Sequence, residues 1–574
     1  MKELLFPHII KVVSTFGIDE KMVDIEYSDN TNHGDFSTNV ALINAKKLKM
    51  NPSQLADKIV SKFKEEMPDL VESVAVAGAG FINFKIKDKF WAEKILDTKW
   101  LERSHGGQTS VMVEYTDPNP FKEFHIGHLM SNAIGESISR LIEYSGTKVI
   151  RANWQGDVGP HVAKAIWGAL KDQKSKIKDQ KFPQEENSEI SKSAYWGKAY
   201  AFGADAYDKD ENIRKEINEI NKKIYDRSDE KVNELYDKGR KESLEAFEDI
   251  YKRLDTKFDN YFFEGKEGRN GEEIANELLK KGILEESDGA IIFKGEKYGL
   301  HTRVFITSNG LPTYETKELG LNIEKFKLYP DLSQSIIVTA NEQSDYFKVL
   351  FKAFSLFEEN IANKTKHIAH GLMRFASGKM SSRKGNVISG EVLIDEIKSM
   401  VIEKIDSNDS AKREFGEIEK DEIADMIAIG AIKYTILRQA IGGDIVFDSS
   451  KSISFEGDSG PYLQYSTVRA GAILAKAKDM VNTEVRPPEK VGQLERLLVR
   501  FPDIVERAKN EYSPQHVANY LVALSGEFNS FYAKQIIVDM KDPMSPYYVT
   551  LTKVFRKVME EGLWILGIKV PSKM

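Results

Sequence analysis

The sequence contains no cysteine, which excludes disulfide bonds, thiolate nucleophiles and zinc sites built from cysteine. It has no run of 18 or more apolar residues, the length that a membrane-spanning helix needs. The N-terminal segment MKELLFPHII lacks the apolar core and the cleavage site of a signal peptide. An excess of positive charge is also missing, because the formal net charge is −7 and the pI is about 6.0. We therefore expect a cytoplasmic protein without membrane contact, in which any RNA contact comes from local basic patches.

The length of 574 residues, with 41% hydrophobic content, predicts three or four domains that each have a core. Residues 111–154 show the order strand, helix, strand that defines a βαβ unit of a parallel sheet. The helix has an apolar face that we expect to be buried (Met130, Ile134, Ile138, Leu141, Ile142) and a polar face that we expect to be exposed (Ser131, Glu136, Arg140). Ligands of parallel sheets bind beyond the carboxyl ends of the strands, so this is where we expect functional residues.

The tetrapeptide His125-Ile126-Gly127-His128 lies at that place, between the first strand and the helix. Free N–H groups at a helix start attract phosphate, Gly127 allows a nucleotide close to the backbone, and two imidazoles can donate to phosphoryl oxygens. In this context the tetrapeptide resembles the HIGH signature of class I aminoacyl-tRNA synthetases. A chance occurrence is the competing interpretation, at roughly one chain in 100 for this composition.

A second motif lies in residues 367–389, HIAHGLMRFASGKMSSRKGNVIS. Its Lys379, Met380, Ser381 and Ser382 resemble the KMSKS loop of the same class, in the proper order after the first signature; a surface cluster of basic residues is the competing interpretation. The pattern has a second lysine where this chain has Ser382. Arginyl-tRNA synthetases that lack this lysine often carry one just before the HIGH motif, and Lys122 stands three residues before His125.

Two further segments resemble arginyl-tRNA synthetases: GDFSTNVALINAKKLKMNP, from their N-terminal domain, and AIKYTILRQAIGGDIVFDSSKSISFEGDSGPYLQYSTVRAGAIL, from the junction into their anticodon-binding bundle. The resemblance implies a doubly wound parallel-sheet, Rossmann-like α/β catalytic domain with an N-terminal α+β domain and a C-terminal all-α helical bundle. The predicted boundaries are 1–105 for the tRNA-elbow-binding domain, 106–390 for the catalytic domain with a helical insertion at about 171–262, 391–453 for a connecting helical region, and 454–574 for the anticodon-binding bundle.

Local patterns add further predictions about secondary structure. We expect helices at 37–48 and from Pro52, with Asn51 as N-cap, then strands across 71–86 around Gly78-Ala79-Gly80. Ile213, Ile217, Ile220 and Ile224 mark an amphipathic helix in the insertion. The sheet is expected to resume at 289–293 and 303–307 and to continue at 335–339, and residues from about 390 onward are expected to be mainly helical.

The resemblance also implies roles for residues around ATP. His125 and His128 would cradle phosphoryl oxygens, Lys379 and Lys122 would neutralise the departing pyrophosphate, and Gly127 would seat the adenine side. The remaining ATP-binding residues that we predict are Asp157, Gly159, Met380, Ser381 and Ser382. The implied cofactor is ATP with its Mg²⁺, and we expect no protein-bound zinc or other metal site.

A guanidinium group is planar, permanently charged and rich in donors, so its pocket needs carboxylates and further acceptors. By resemblance, the predicted arginine-binding residues are Glu114, Asn119, His128, Tyr314, Glu318 and Gln343. The family commonly has aspartate where this chain has Glu318, and the extra methylene changes the reach of the carboxylate. Structural roles are the competing interpretation, with Tyr314 in the core and Glu318 on a helix surface.

For tRNA, aromatic side chains that stack on loop bases are the expected contacts. The predicted tRNA-binding residues are Phe36, Asn39, Tyr462, Tyr465, Trp564 and Met574, with core packing as the competing interpretation for each aromatic residue.

Taken together, these resemblances imply an arginyl-tRNA synthetase with tRNA(Arg), L-arginine and ATP as its partners, and we expect a monomer. A different class I specificity competes with this interpretation. Leucine, isoleucine and valine enzymes need apolar pockets and usually a large proofreading insertion, while cysteinyl enzymes use a zinc held by cysteine. A nucleotidyltransferase with the same phosphate-binding signature is a further hypothesis, and an inactive RNA-binding paralogue is the last.

Overall fold

The computed structural model describes residues 1–28, 33–103, 106–107, 109–174, 192–376, 388–407, 416–478 and 485–574. The chain divides into two compact units. The first comprises Met1–Glu102, Arg469–Asp503 and Ala523–Val558, and the second comprises Arg103–Val468, Ile504–Val522 and Met559–Met574. Across the described ranges, every helix is too short or too polar to cross a bilayer.

The N-terminal part of the first unit is a four-stranded antiparallel sheet with helices. The strands are β1 (Glu26–Tyr27), β2 (Phe36–Thr38), β3 (Val71–Ala77) and β4 (Phe81–Ile86), in the order β1-β2-β4-β3, and the helices are α1 (Lys2–Ser14), α2 (Val40–Asn44), α3 (Pro52–Glu65) and α4 (Asp88–Leu96). Helix α3 begins as predicted, because the Asn51 side chain accepts from the Ser53 N–H at 2.9 Å and Pro52 takes the first turn.

The predicted helix at 37–48 is wrong at its start, because residues 36–38 pair with β4 instead, with Phe36 opposite Phe84. This pairing places the Phe36 ring in the core, where it is 0% exposed and packs against Tyr27 and Trp91. A ring without an exposed face cannot stack on a base. The predicted tRNA contact of Phe36 is therefore corrected to a core-packing role.

The second unit contains a five-stranded parallel sheet. Its strands are β5 (Ser110–Glu114), β6 (Lys148–Gln155), β7 (Asn260–Phe263), β11 (Leu332–Ala340) and β12 (Thr365–His370), in the order β12-β11-β5-β6-β7. The chain leaves β5 first toward β6 and β7, and later returns to the other side of β5 through β11. This is the doubly wound order that was predicted, and its topological switch point lies between β5 and β11.

Strands β8 (Glu285–Ser287), β9 (Ala290–Phe293) and β10 (Arg303–Ile306) form a separate antiparallel sheet. The prediction that the parallel sheet resumes in this stretch is therefore wrong, and it resumes only at β11. The connections are too short for parallel pairing, because parallel neighbours need a crossover whereas antiparallel strands need only a turn.

Helices cover the parallel sheet and build the insertion. They are α5 (Ile126–Tyr144), α6 (Pro160–Lys174), α7 (Lys192–Lys209), α8 (Glu211–Asp226), α9 (Glu230–Arg253), α10 (Glu264–Lys280), α11 (Tyr314–Leu328), α12 (Ser344–Ser355), α13 (Glu359–Lys364) and α14 (Gly390–Asp406). The short strands β13 (Met373–Phe375) and β14 (Ile445–Phe447) pair with each other. Further helices are Glu417–Leu437, Ser449–Ser452, Gly460–Lys476, Gln493–Val499, Phe501–Glu511, Gln515–Lys534 and Ser545–Ile565.

The insertion has its own apolar core. Ile217, Ile220 and Ile224 of α8 are buried, which confirms the predicted amphipathic helix. They belong to the same apolar cluster as Trp196 of α7 and Phe121, which precedes α5. The insertion therefore packs directly onto the loop that leads into the HIGH-like motif.

The predicted exposed face of α5 is wrong: Ser131, Glu136 and Arg140 are all buried. The Arg140 Nε donates to Glu136 at 2.6 Å, and the Arg140 guanidinium donates to the backbone carbonyl of Trp564 at 3.0 Å. Arg151 of β6 also pairs with Glu136, at 3.1 Å. Buried charges are tolerated when they are paired in this way, so a polar helix face can lie inside the protein.

Candidate active site

The HIGH-like motif forms the start of α5, with His125 as its N-cap. The Gly127 N–H donates to His125 Nδ1 at 3.1 Å, and the His125 N–H donates to His128 Nδ1 at 3.1 Å. The two imidazole rings stack at 3.6 Å between centroids. Both Nδ1 atoms therefore act as acceptors, which leaves the proton of each neutral ring on Nε2.

Both rings are held in the neutral form. Burial, and then the neighbouring Lys122, lowers the pKa of His125 to about 4, and burial followed by His125 lowers the pKa of His128 well below its usual value. Two neutral rings can stack closely because they do not repel each other as two imidazolium ions would. The site thus presents Nε2–H donors from two residues of one motif at the positive end of a helix.

The loop between β5 and α5 has strained backbone. Thr116, Asp117 and Phe121 have φ of +80°, +45° and +68°, in the region that non-glycine residues rarely adopt. The Thr116 N–H donates to the Ser131 hydroxyl at 2.9 Å, and that hydroxyl donates to the carbonyl of Val338 in β11 at 2.9 Å. The buried Ser131 of α5 thus ties the strained loop to β11.

The insertion braces the other end of this loop. The Phe121 N–H donates to the Ser243 hydroxyl of α9 at 3.0 Å, and the Phe121 ring packs edge-on against Trp196 at 5.1 Å. Next in the chain, the Lys122 ammonium lies 4.9 Å from the centre of the Tyr200 ring, and burial, then Lys164, lowers its pKa. The position of Lys122 beside the motif therefore depends on the insertion.

The residues after the KMSKS-like loop are hydrogen-bonded to the HIGH-like motif. The Ile126 N–H donates to the Ile388 carbonyl at 3.1 Å, and the Gly390 N–H donates to the Phe124 carbonyl at 2.8 Å. Lys379, Met380, Ser381 and Ser382 themselves lie outside the described residues. Residues 388–390, which follow the second motif, therefore pair directly with residues 124–126 at the first motif.

An acidic cluster lies at the carboxyl end of β5. Glu114 is 1% exposed and forms an ion pair with Lys325 at 2.8 Å between Oε2 and Nζ. Glu318 lies on the same helix as Lys325 and is 6% exposed, and burial, then Glu114, raises its pKa to about 8. Burial and then Glu114 also raise the pKa of Asp117, whose Oδ1 accepts from the Trp154 N–H at 2.7 Å.

The other residues that were predicted to bind the substrate arginine differ in how exposed their side chains are. Asn119 is partly buried, and its Oδ1 would lie 2.0 Å from a Cβ placed on Gly156, so only glycine leaves room for it. Tyr314 is 57% exposed, with its carbonyl accepting from the Tyr346 hydroxyl at 3.2 Å, so it is not a core residue. Gln343 is exposed in the turn after β11.

Asp157 has structural partners within the chain. Its Oδ2 accepts from the Tyr236 hydroxyl and from Arg240 Nε, both at 3.0 Å, and its Oδ1 accepts from the Gly265 N–H at 2.9 Å. These three hydrogen bonds hold the crossover between β6 and β7 in place, and they occupy both oxygens of the Asp157 carboxylate. Gly159, two residues later, has φ of +124°, which accounts for glycine there.

The residues that were predicted to bind tRNA fall into two groups by the surroundings of their side chains. Asn39, Tyr462, Tyr465 and Met574 are partly buried, and the Tyr465 ring lies 6.3 Å from the Phe455 ring. Trp564 instead has the Arg103 guanidinium 3.7 Å from its ring centre and that of Arg140 at 5.3 Å. Its ring therefore packs against two cations of the same chain.

Sequence reasoning missed Asp117, Lys325 and the Glu264–Lys317 ion pair, in which the two charged groups are 2.6 Å apart and buried. Lys325 could have been found from the sequence, because it lies seven positions after Glu318 and residues at that spacing share one face of a helix. Among the residues that the structure describes, no three histidine, aspartate or glutamate side chains are grouped to hold a metal ion.

Comparison with known proteins covers the chain from end to end. Residues 92–449 match the model of the catalytic domain of class I (R) tRNA synthetases, 463–574 that of the DALR anticodon binding domain, and 2–86 that of the arginyl tRNA synthetase N-terminal domain.

Individual proteins are similar over the same length. The arginine–tRNA ligase of Fusobacterium nucleatum is 32% identical over 567 residues, covering 96% of each chain, and that of Ligilactobacillus salivarius is 30% identical over 573 residues, covering 97% of this chain and 96% of the other. The arginyl-tRNA synthetase structure of Thermus thermophilus superposes with a TM-score of 0.83 at 22% identity and full coverage of both chains. This structural match shows a common fold.

Proposed function

Because the chain belongs to the family of class I arginyl-tRNA synthetases, which use ATP to join arginine to tRNA, we propose how its own residues carry out that reaction. The activation step is an attack by the arginine carboxylate on the α-phosphorus of ATP, which expels pyrophosphate. The transition state gathers negative charge, so positioned donors and cations contribute more than a general base. The crevice between β5 and β11 is the site that we propose.

The histidine pair acts on the phosphate side. The Nδ1 atoms of His125 and His128 accept backbone N–H groups, so their Nε2–H groups donate to phosphoryl oxygens. With pKa values lowered by burial, both remain neutral donors at physiological pH. Because their positions are fixed before ATP binds, little reorganisation is needed as charge develops. Gly127 leaves the backbone open to the adenine side of the nucleotide.

Lysines act on the departing pyrophosphate. Lys122 takes the part of the lysine that the KMSKS-like loop replaces with Ser382, and Lys379 acts from that loop together with Met380 and Ser381. Mg²⁺ enters with ATP as part of the substrate. Gly159 lines the crevice, and Asp157 supports it by holding the β6–β7 crossover in place.

The acidic cluster acts on the arginine side. The observation that carries this proposal is the burial of Glu114 and Glu318 at one end of β5, with Asp117 beside them, in excess of the cations around them. A guanidinium is the cation that two fixed carboxylates recognise best, because it has five donors in one plane. Asn119, Tyr314, Gln343 and His128 surround the α-amino and carboxylate groups.

The anticodon-binding domain supports tRNA binding, and we propose Tyr465, Tyr462, Asn39 and Met574 as contacts with tRNA(Arg). Trp564 supports them indirectly through its packing on Arg103. The protein acts as a monomer in the cytoplasm.

The test is ATP–pyrophosphate exchange with each of the twenty amino acids, with and without tRNA(Arg). We expect exchange with arginine alone and, as is general in the family, only when tRNA is present. Exchange with leucine would indicate another specificity, and no exchange with any amino acid would indicate either a nucleotidyltransferase with a different small substrate or an RNA-binding paralogue. Either result contradicts the proposal.

A further inference from the structure

The acidic cluster carries more negative charge than its surroundings balance. The titratable groups that face Glu318 come from several elements: Glu114 from β5, Asp117 from the following loop, Glu264 from α10, Tyr346 from α12 and Lys325 from α11 itself. Lys317 pairs with Glu264 at 2.6 Å and Lys325 pairs with Glu114 at 2.8 Å. Within the described part of the chain, Glu318 and Asp117 form no ion pair, so they are the two carboxyl groups of the cluster whose charge is left without a paired cation.

Burial of two uncompensated negative charges is costly, and a buried carboxyl group meets this cost by keeping its proton. Glu318 is 6% exposed, and its carboxyl Oε2 has the Asn322 amide as a donor at 3.2 Å. Burial, followed by Glu114, raises the pKa of Glu318 to about 8 and raises that of Asp117 as well. The geometry and the charge count therefore agree that the cluster holds a proton before arginine binds.

The cluster also contains an acceptor that waits for a donor. Asn322 is 0% exposed, and its amide donates to the Glu318 carbonyl at 2.9 Å. Its Oδ1 accepts no hydrogen bond from any residue in the described part of the chain. This acceptor lies beside the Glu318 carboxyl group and is therefore available to a ligand that carries N–H groups.

We propose that arginine binding expels this proton, so that recognition of the guanidinium is coupled to proton release from Glu318. This inference rests on the proposed function of the cluster as the arginine site. The permanent charge of the guanidinium takes the place of the proton: the Glu318 carboxyl loses its O–H bond, the proton passes to the buffer, and the resulting carboxylate accepts guanidinium N–H groups. Neutral ligands of the same shape leave the proton in place.

The experiment is calorimetric titration of the full-length enzyme with L-arginine, near pH 7, in two buffers that differ in ionisation enthalpy. Since Glu318 titrates at about 8, we expect about 0.9 proton released per arginine near pH 7 and about half a proton near pH 8, a range in which the α-ammonium of arginine stays charged. The same linkage predicts that the Kd for arginine falls about fivefold between pH 7 and pH 8. L-citrulline, which is neutral, should release no proton. Tight arginine binding without proton release near pH 7 overturns the inference.

Two variants separate the possible outcomes. Glu318→Gln removes the proposed proton donor, so the proton released should fall below about 0.2 per arginine; full release overturns the assignment to Glu318. Glu324→Gln is the control, because Glu324 lies on the same helix but pairs with Lys266 at 3.3 Å and Lys327 at 3.8 Å. If Glu318→Gln does not fold, the pH series of the unmodified enzyme decides. Absence of arginine binding together with absence of exchange rejects the proposed function itself, whereas binding without proton release rejects only this inference.

Discussion

The Ile126 N–H donates to the Ile388 carbonyl at 3.1 Å, which joins the first turn of the HIGH-like helix to the first described residue after the KMSKS-like loop. The neighbouring Gly390 N–H donates to the Phe124 carbonyl at 2.8 Å, and His125 forms an antiparallel bridge with Ser389. The two motifs are far apart in sequence and belong to different elements. Their flanking backbones nevertheless form one small hydrogen-bonded unit, so a change at either motif is expected to affect the other.

This pairing predicts the effect of Gly390→Val. A Cβ on Gly390 would lie 3.0 Å from the Phe124 ring and 3.5 Å from the His125 carbonyl, and the ring is 2% exposed with His128 packed against it. The larger side chain should displace Phe124 and with it the histidine pair. We expect ATP–pyrophosphate exchange to fall by up to about 10²-fold with a raised KM for ATP, the scale of a catalytic group misplaced by about 1 Å. Gly416→Val, where a Cβ meets nothing within 4 Å, should leave exchange unchanged.

Lys122→Ala tests the substitute for the missing lysine of the second motif. Lys122 lies beside His125, and the second motif has Ser382 where the family pattern has lysine, so its loss should remove a cation that faces pyrophosphate. We expect exchange to fall about 10²-fold with little change in the binding of arginine, because one transition-state donor contributes on that scale. Lys209→Ala, which removes an exposed lysine paired with Asp205, is the control. Exchange by Lys122→Ala close to that of the unmodified enzyme would show that the assignment is wrong.

Gly239→Ala tests whether the insertion positions Lys122. A Cβ on Gly239 would lie 2.2 Å from Phe121 and 2.8 Å from Trp196, and both rings are buried too completely to move freely. We expect a loss of stability of about 1–3 kcal/mol from overpacking and, because Phe121 precedes Lys122, a drop in exchange that exceeds the loss of folded protein. Thermal unfolding and exchange measured on the same sample check both parts. Gly526→Ala, in open space within helix Gln515–Lys534, should instead raise stability by up to about 1 kcal/mol.

The buried histidines predict how stability depends on pH. Burial lowers the pKa of His125 to about 4, of His161 to about 3 and of His367 to about 4 from an ordinary value of 6.5. Below pH 6.5 the unfolded chain binds protons that the folded chain does not, so their stabilising contribution is complete above 6.5 and is lost as the pH falls toward 4. Urea midpoints should therefore decrease between pH 7 and pH 5. His367→Gln should make this decrease shallower, and His33→Gln, at an exposed residue, should not.

The sequence predicted the parts of the fold that local periodicity and alternation determine. The βαβ unit and the amphipathic helix of the insertion follow from apolar residues at spacings of two or of three and four, whereas the doubly wound order was implied by the family resemblance. The burial of Ser131, Glu136 and Arg140 does not follow from such runs. Helices α14 and Glu417–Leu437 pack against α5, and nothing near α5 in sequence shows that these distant segments lie there.

In the candidate site, too, the sequence predicted residues that are close together in the chain but not contacts between distant segments. His125, Gly127 and His128 are close together in sequence, so their motif indicated both their place and their chemistry. Lys325 was missed because its partner Glu114 lies on a strand far away in sequence, and an ion pair between distant segments leaves no local pattern. Phe36 was assigned to tRNA by resemblance alone, whereas pairing of β2 with β4 determines its burial.

The measurement that tests the central claim most directly is a crystal structure of the enzyme with a non-hydrolysable arginyl-adenylate analogue. The crevice between β5 and β11 should hold the analogue with its phosphate-mimicking group within about 3 Å of Nε2 of His125 or His128, and with its guanidinium against Glu114 and Glu318. An analogue bound elsewhere, or a guanidinium that points away from both carboxylates, would contradict the account.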